Sequence, residues 1–294
     1  MSEHPSEPGA PADQTTRSNL DYAAWILSGV ALIYALLAGL HTLQDFDLGW
    51  QLATGRWVLQ HRQIFSADVF SYTARAAPWI YPVLSGIFFY LTYLAAGYAL
   101  LCWMGAAASA GTVALLLRRE NFASLMLAIV AVPLIANRTQ PRAEMFTTAL
   151  FAAFLSLLWR QYCTQNAERS ALWLLPFLMV GWVNLHLGFV AGLALCGAYV
   201  LLELLELPFP ENRTAALTRL RRAWPWLALT GGATLVNPWG VHIYTALLRQ
   251  AQAQSLHISW VVEWESVRPS WGSLRQALDL RDPQSSFWWL LAIA

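Results

Sequence analysis

The chain contains no lysine: all 18 of its basic residues are arginine. Charged residues of either sign make up only 12%, and the formal net charge is +1. That balance excludes the basic surface on which nucleic-acid binding depends, because such a protein must neutralise phosphates along a backbone. Cysteine is scarce as well. Cys102, Cys163 and Cys196 lie in or beside apolar runs without paired spacing, so neither a disulfide framework nor a zinc site is indicated, and they read as small buried residues. A strongly basic leader ending in small residues is also missing, so the run from Ala23 to Leu40 reads as a retained first helix, not a cleaved signal. Neither an internal repeat nor a pair of broken helices marks a transport site at mid-membrane.

What is abundant is apolar. Hydrophobic residues make up 57% and there are 16 Trp, which places the chain among all-α polytopic membrane proteins. The polar residues 1–22 read as a disordered cytoplasmic tail, and 23–294 as one transmembrane domain. Apolar segments fall at about 23–40, 80–96, 98–117, 122–136, 143–159, 171–184, 188–205 and 224–236. Another opens at Phe287 and reaches only Ala294, short of the ~20 residues that span a bilayer, so the chain reads as cut within a helix at 287–294.

Arginine placement sets the orientation. Arg118 and Arg119, then Arg160 and Arg169, then Arg213, Arg219, Arg221 and Arg222 fall in alternate loops, while the loops between hold only Arg138 and Arg142. The positive-inside rule puts the first three loops in the cytoplasm. The count closes with the N-terminus inside if residues 80–96, interrupted by Pro82 and Gly86, lie along the outer interface. Residues 41–96 then form a first outer loop. Asp45, Asp47, Asp68, Tyr72, the run Asn137–Glu144, Asn184–His186, Asn237–His242, Glu263 and Glu265 all share the outer side.

Several of these suit chemistry. Asp45 and Asp47 at i and i+2 present both carboxylates to one point if the chain between them is extended or turned. Such a pair holds a divalent cation such as Mg or Mn, or supplies a general base. Asp47 equally suits the cap of an amphipathic helix starting at Leu48, with Leu48, Leu52 and Leu59 near one face and Trp50 and Trp57 at headgroup depth. Asp68 reads as a turn former or a ligand. Arg138 and Arg142 break the positive-inside trend and flank Pro141; they suit an anionic phosphate through their forked geometry, or an ion pair with Glu144. His186 and His242, beside Asn184 and Asn237, form a weak metal signal and suit interfacial hydrogen bonding better. Glu263 and Glu265 lie in a Trp-rich outer segment fit to bind a sugar or to cover the membrane surface.

The stretch "DFDLGWQLATGRWVLQHRQIFSADVFSYT", with "RTQPRAEMF", "VNLHLGF" and "NPWGVHIY", resembles the GT-C superfamily of integral-membrane glycosyltransferases. The likeness is to the bacterial branch related to protein mannosyltransferases and lipopolysaccharide transferases. It implies a GT-C-like transmembrane helix bundle with two juxtamembrane helices in the first outer loop. It also implies a polyprenyl-phosphate sugar donor bound from the bacterial inner membrane, and a glycan, lipid or protein acceptor reached from the periplasmic side. Asp45 takes the place of the family's first-loop acid, as base or metal contact, and Asp47 that of the second. Arg138 and Arg142 fall where donor phosphate would be met, and Asp68, Tyr72, His186, His242 and Glu263 are possible substrate contacts. Gln51 stands where relatives carry His, "QPRAE" replaces R-P-Q, and Tyr81-Pro82 replaces His-Glu. The alternative is a membrane transporter or lipid-handling protein without transferase activity, since charges at a membrane edge also mark transport routes.

Overall fold

A computed structural model of the chain describes residues 12–40, 43, 47–72, 77–118, 122–163, 171–257, 270–279 and 281–293. Among them the regular structure is helical apart from one isolated antiparallel bridge between Ala67 and Pro78. The helices are α1 (Ala12–Ala38), α2 (Asp47–His61), α3 (Leu84–Leu116), α4 (Phe122–Arg138), α5 (Glu144–Cys163), α6 (Leu174–Leu185), α7 (Phe189–Glu206), α8 (Pro210–Ala233), α9 (Ile243–His257), α10 (Trp271–Leu278) and α11 (Ser285–Ile293). A 3-10 turn, Gly240–His242, precedes α9.

Among the described residues, three stretches are long and apolar enough to cross a membrane: Asp21–Ala38, Leu84–Leu116 and Phe189–Glu206. Phe122–Arg138 and Leu174–Leu185 are shorter apolar helices. Their outward faces are greasy: Trp25, Phe177 and Leu201 are 60%, 69% and 57% exposed, large apolar surface that water would penalise and lipid would not.

Four boundaries differ from the sequence reading. Helix α1 begins at Ala12 instead of Ala23, because no Gly or Pro interrupts Ala12–Trp25; of the expected tail, 1–11 lie outside the described residues. The arginines 213, 219, 221 and 222 belong to α8 instead of a loop. Pro210 opens that helix at N1 or N2 behind an extended Phe209, where its missing N–H costs nothing. Arg138 ends α4 inside its last turn. Helix α3 joins two expected segments but is broken at Ala96 and Gly97, the latter at φ 64, which favours glycine.

A close approach fixes the first half of the bundle. Helices α2 and α3 meet at Gly55 and Gly86, where a Cβ on Gly55 would stand 2.1 Å from the Gly86 carbonyl oxygen. Consequently the buried face of α2 is Leu48, Gln51, Thr54, Gly55 and Val58, while Leu59 is 40% exposed. Of the three leucines expected near one face, Leu48 is buried and Leu52 packs beside it, whereas Leu59 is exposed, because the Gly55–Gly86 approach decides which face of α2 packs. A second cluster joins α5, α6, α7 and α8 around Phe154, Met179, Trp182 and Phe189. Of the cysteines only Cys196 is buried; Cys163, expected inside, is exposed at the polar end of α5.

Successive helix ends make two polar layers. At one end Ser156 Oγ donates to the Leu115 carbonyl at 2.6 Å, Arg118 lies 5.4 Å from the Trp159 ring, and Arg219 joins α8 to Glu203 and Glu206 of α7. At the other end lie the start of α2, the α4–α5 turn, and the α6–α7 turn.

Candidate functional site

The second layer is built by chain reversals. Arg138 closes α4, and Glu144 opens α5, where a carboxylate is favoured by the free N–H groups of the first turn. Between them the chain turns tightly, with the Arg142 N–H donating to the Gln140 carbonyl at 2.6 Å. Glu144 thereby receives both arginines: Arg138 Nη1 reaches Oε1 at 2.8 Å, and Arg142 Nη2 pairs with Oε2. The Arg138 side chain stays 50% exposed and that of Arg142 only 13%. Two guanidinium charges share one carboxylate, and the ion-pair reading of these arginines is realised.

Asp47 stands in the first turn of α2 and accepts a 3.0 Å hydrogen bond from Trp50 Nε1. The helix takes in Asp47 itself, one residue ahead of the expected start at Leu48. Trp50 in turn packs edge-on against Trp79, with centroids 5.8 Å apart, and Tyr81, 5.2 Å. Tyr81 meets the His186 ring edge-on at 6.5 Å, and its carbonyl accepts from Trp239 Nε1 at 3.3 Å. A relay of rings therefore carries the position of Asp47 to the α6–α7 turn.

His186 caps α6, its backbone N–H donating to Trp182 O, and α7 starts three residues later. The turn is this short because Gly188 carries no side chain: a Cβ there would stand 2.4 Å from Thr147 Oγ1 and 2.8 Å from His186 Nδ1. Burial pulls the imidazole down to about 4, against the opposite pull of Glu144. Burial, then the carboxylates of Asp47 and Glu144, push the Tyr81 phenol above its ordinary range, while Arg142 opposes them. Asp47, Arg142 and Glu144 thus act on both Tyr81 and His186, so five groups from four segments share one electrostatic neighbourhood.

Other expected residues lie elsewhere in the design. Asp68 is a turn former: its Oδ1 accepts from Phe70 N at 2.8 Å and Ser71 N at 2.9 Å. The Ser71 bond first, then that of Phe70, holds its carboxyl below the usual range. Tyr72 is 98% exposed. Asn184 Nδ2 ties α6 to the chain after α8 through Val236 O at 2.7 Å, and Asn237 organises the following turn by accepting from Trp239 N at 2.8 Å. His242 is exposed, and among the described residues its imidazole makes no hydrogen bond. Asp45, Glu263 and Glu265 lie outside the described residues.

Among the described residues, no three His, Cys, Asp or Glu side chains gather to hold a metal ion. Asp47, the described half of the acidic pair, has an indole N–H on Oδ1. Tyr81 and Thr147 are members that the sequence reading did not assign. Tyr81 was noticed only as a departure from a family pattern, and Thr147 had no signal beyond lying five residues after Arg142.

Comparison with protein-family models, with curated proteins and with solved structures returns no match.

Proposed function

We propose that the chain is a membrane glycosyltransferase with a GT-C-like bundle. It would move a sugar from a polyprenyl-phosphate donor to an acceptor approached from the periplasmic face of the bacterial inner membrane. The observation that carries the reading is the convergence of Asp47, Tyr81, Arg142, Glu144 and His186 at one end of the bundle. The sequence motifs that resemble such transferases supply four of the five positions.

The chemistry asks for a base, for positive charge near a phosphate, and for access from lipid. An Asp45 or Asp47 carboxylate takes the proton from the acceptor hydroxyl as the new bond to the sugar's anomeric carbon forms. The bond from that carbon to the phosphate oxygen breaks, and the leaving polyprenyl phosphate keeps the electron pair. Arg138, half exposed, and Arg142 meet that charge. Glu144 keeps both guanidinium groups in place until a phosphate competes for them. No step is assigned to a metal.

The test is donor consumption. Protein in lipid nanodiscs is incubated with radiolabelled polyprenyl-phosphate sugars, and transfer is expected for the native chain and lost in Asp45→Asn or Asp47→Asn. Folded protein that leaves every donor intact would favour the lipid-handling alternative.

A further inference from the structure

The α6–α7 turn fixes where one imidazole carries its proton. Gly188 N–H donates to His186 Nδ1 at 3.1 Å, and Thr147 Oγ1 lies 2.8 Å from the same nitrogen. Trp182 Nε1, which can only donate, reaches Thr147 Oγ1 at 2.9 Å. A ring nitrogen that accepts from a backbone N–H carries no hydrogen of its own, so the threonine hydroxyl must be the second donor to Nδ1. The directions then agree throughout: indole to hydroxyl, hydroxyl to Nδ1, amide to Nδ1. A neutral imidazole arranged this way bears its proton on Nε2.

Nε2 lies across the ring from Thr147, and among the described residues it makes no hydrogen bond. The groups that act on this ring are Asp47 from α2, Tyr81 ahead of α3, Arg142 in the α4–α5 turn and Glu144 from α5. Protonation of Nδ1 would set it against two donors at once, and burial already holds the ring neutral at pH 7.

We propose that His186 is a fixed hydrogen-bond donor for an anionic phosphate oxygen, through Nε2–H, with Thr147 and Gly188 as the positioning residues that set its tautomer. A general base needs a free lone pair. Both nitrogens lack one here, since Nδ1 is occupied and Nε2 is protonated, so His186 binds and orients while proton removal falls to the aspartates. This rests on reading the polar end of the bundle as a phosphate site.

The experiment uses the full chain in nanodiscs with ring-15N-labelled histidine, the His186 signal being assigned by its loss in His186→Gln. At pH 7 the signal is expected at the shifts of the Nε2–H tautomer. Thr147→Val is expected to mix the tautomers and Thr147→Ser to keep the native one. In parallel, farnesyl phosphate and inorganic phosphate are titrated calorimetrically. His186→Ala is expected to weaken binding about tenfold, the size of one hydrogen bond to a charged group. His186→Gln, which keeps an N–H near the Nε2 position, is expected to recover most of the loss. Weakening for both probes assigns the contact to phosphate from any source, and weakening for farnesyl phosphate alone assigns it to the lipid headgroup. An Nδ1–H tautomer or an imidazolium at pH 7 overturns the proposal. So does failure of the native chain to bind either probe, or unchanged affinity for both in His186→Ala. None of these readouts needs sugar transfer, so a native chain that consumes no donor would leave them standing.

Discussion

Arg219 holds Glu203 through two parallel hydrogen bonds, Nε to Oε1 and Nη2 to Oε2, each 2.8 Å long, and the carboxylate is wholly buried. The same guanidinium reaches Glu206 at 2.8 Å and lies 5.2 Å from the Tyr162 ring, while the Tyr162 hydroxyl donates to Glu206. Taking the arginine away would strand a buried charge. Arg219→Met is therefore expected to destabilise the protein by about 3–5 kcal/mol, the range for breaking one side of a buried pair. Combining it with Glu203→Gln should return part of the loss. Thermal unfolding in detergent reads both, and an Arg219→Met protein as stable as the native chain would contradict the pairing.

The Gly55–Gly86 contact makes a second prediction with its own internal control. Gly55→Ala puts a methyl group into the Gly86 carbonyl, and should cost about 1–3 kcal/mol as α2 and α3 are forced apart. Gly49 sits in the same helix with nothing within 4 Å of its would-be Cβ. Gly49→Ala should accordingly be neutral or stabilising by up to about 1 kcal/mol through helix propensity. Equal effects of the two substitutions would remove the close approach as the cause.

Asp68 gives the acid response. Its folded-state carboxyl is held below its ordinary value of 3.8, so the unfolded chain binds its proton first as pH falls. The contribution to stability is present above 3.8 and disappears as pH drops through the lower folded value. The turn at 67–71 should then loosen, and the nearby Trp79 indole reports it by fluorescence, since the backbone N–H of Trp79 donates to Ser66 O at 2.8 Å. The acid transition should be smaller in Asp68→Asn. A transition of the same size in that variant would assign the acid response to another group.

Chelation separates the two chemistries open to Asp45 and Asp47. Transfer should persist in excess EDTA, because the arginines supply the positive charge. Loss of transfer that Mg or Mn restores would instead assign the aspartates to a cation.

The bundle was legible where polarity interrupts apolar runs. The turns around Arg138–Glu144, Asn184–His186 and Asn237–His242 lie where the sequence breaks, and their alternation follows from antiparallel neighbours. Side-chain facing was less legible. Glu203 and Glu206 are three apart in an apolar stretch and so share a helical face, a signal that they seek a cation, yet Arg219 lies 16 residues beyond Glu203 and resembled an ordinary loop charge. The burial of Leu48 beside an exposed Leu59 was not legible either, because the packing of α2 is set by the missing side chains of Gly55 and Gly86. The His186 tautomer was out of reach, since it depends on Thr147, 39 residues earlier in the chain.

The fixed ends of α7 bear on the surrounding lipid. The helix is tied at Phe189 to the His186 turn and again at Glu203 to Arg219. The 18 residues Phe189–Glu206 rise roughly 27 Å at 1.5 Å per residue, close to the ~30 Å hydrocarbon thickness of an ordinary bilayer. Glu203 is turned wholly inward while Leu204 and Leu205 face out at 47% and 58% exposure, so the buried ion pair leaves the apolar surface offered to lipid unbroken to the end of the helix.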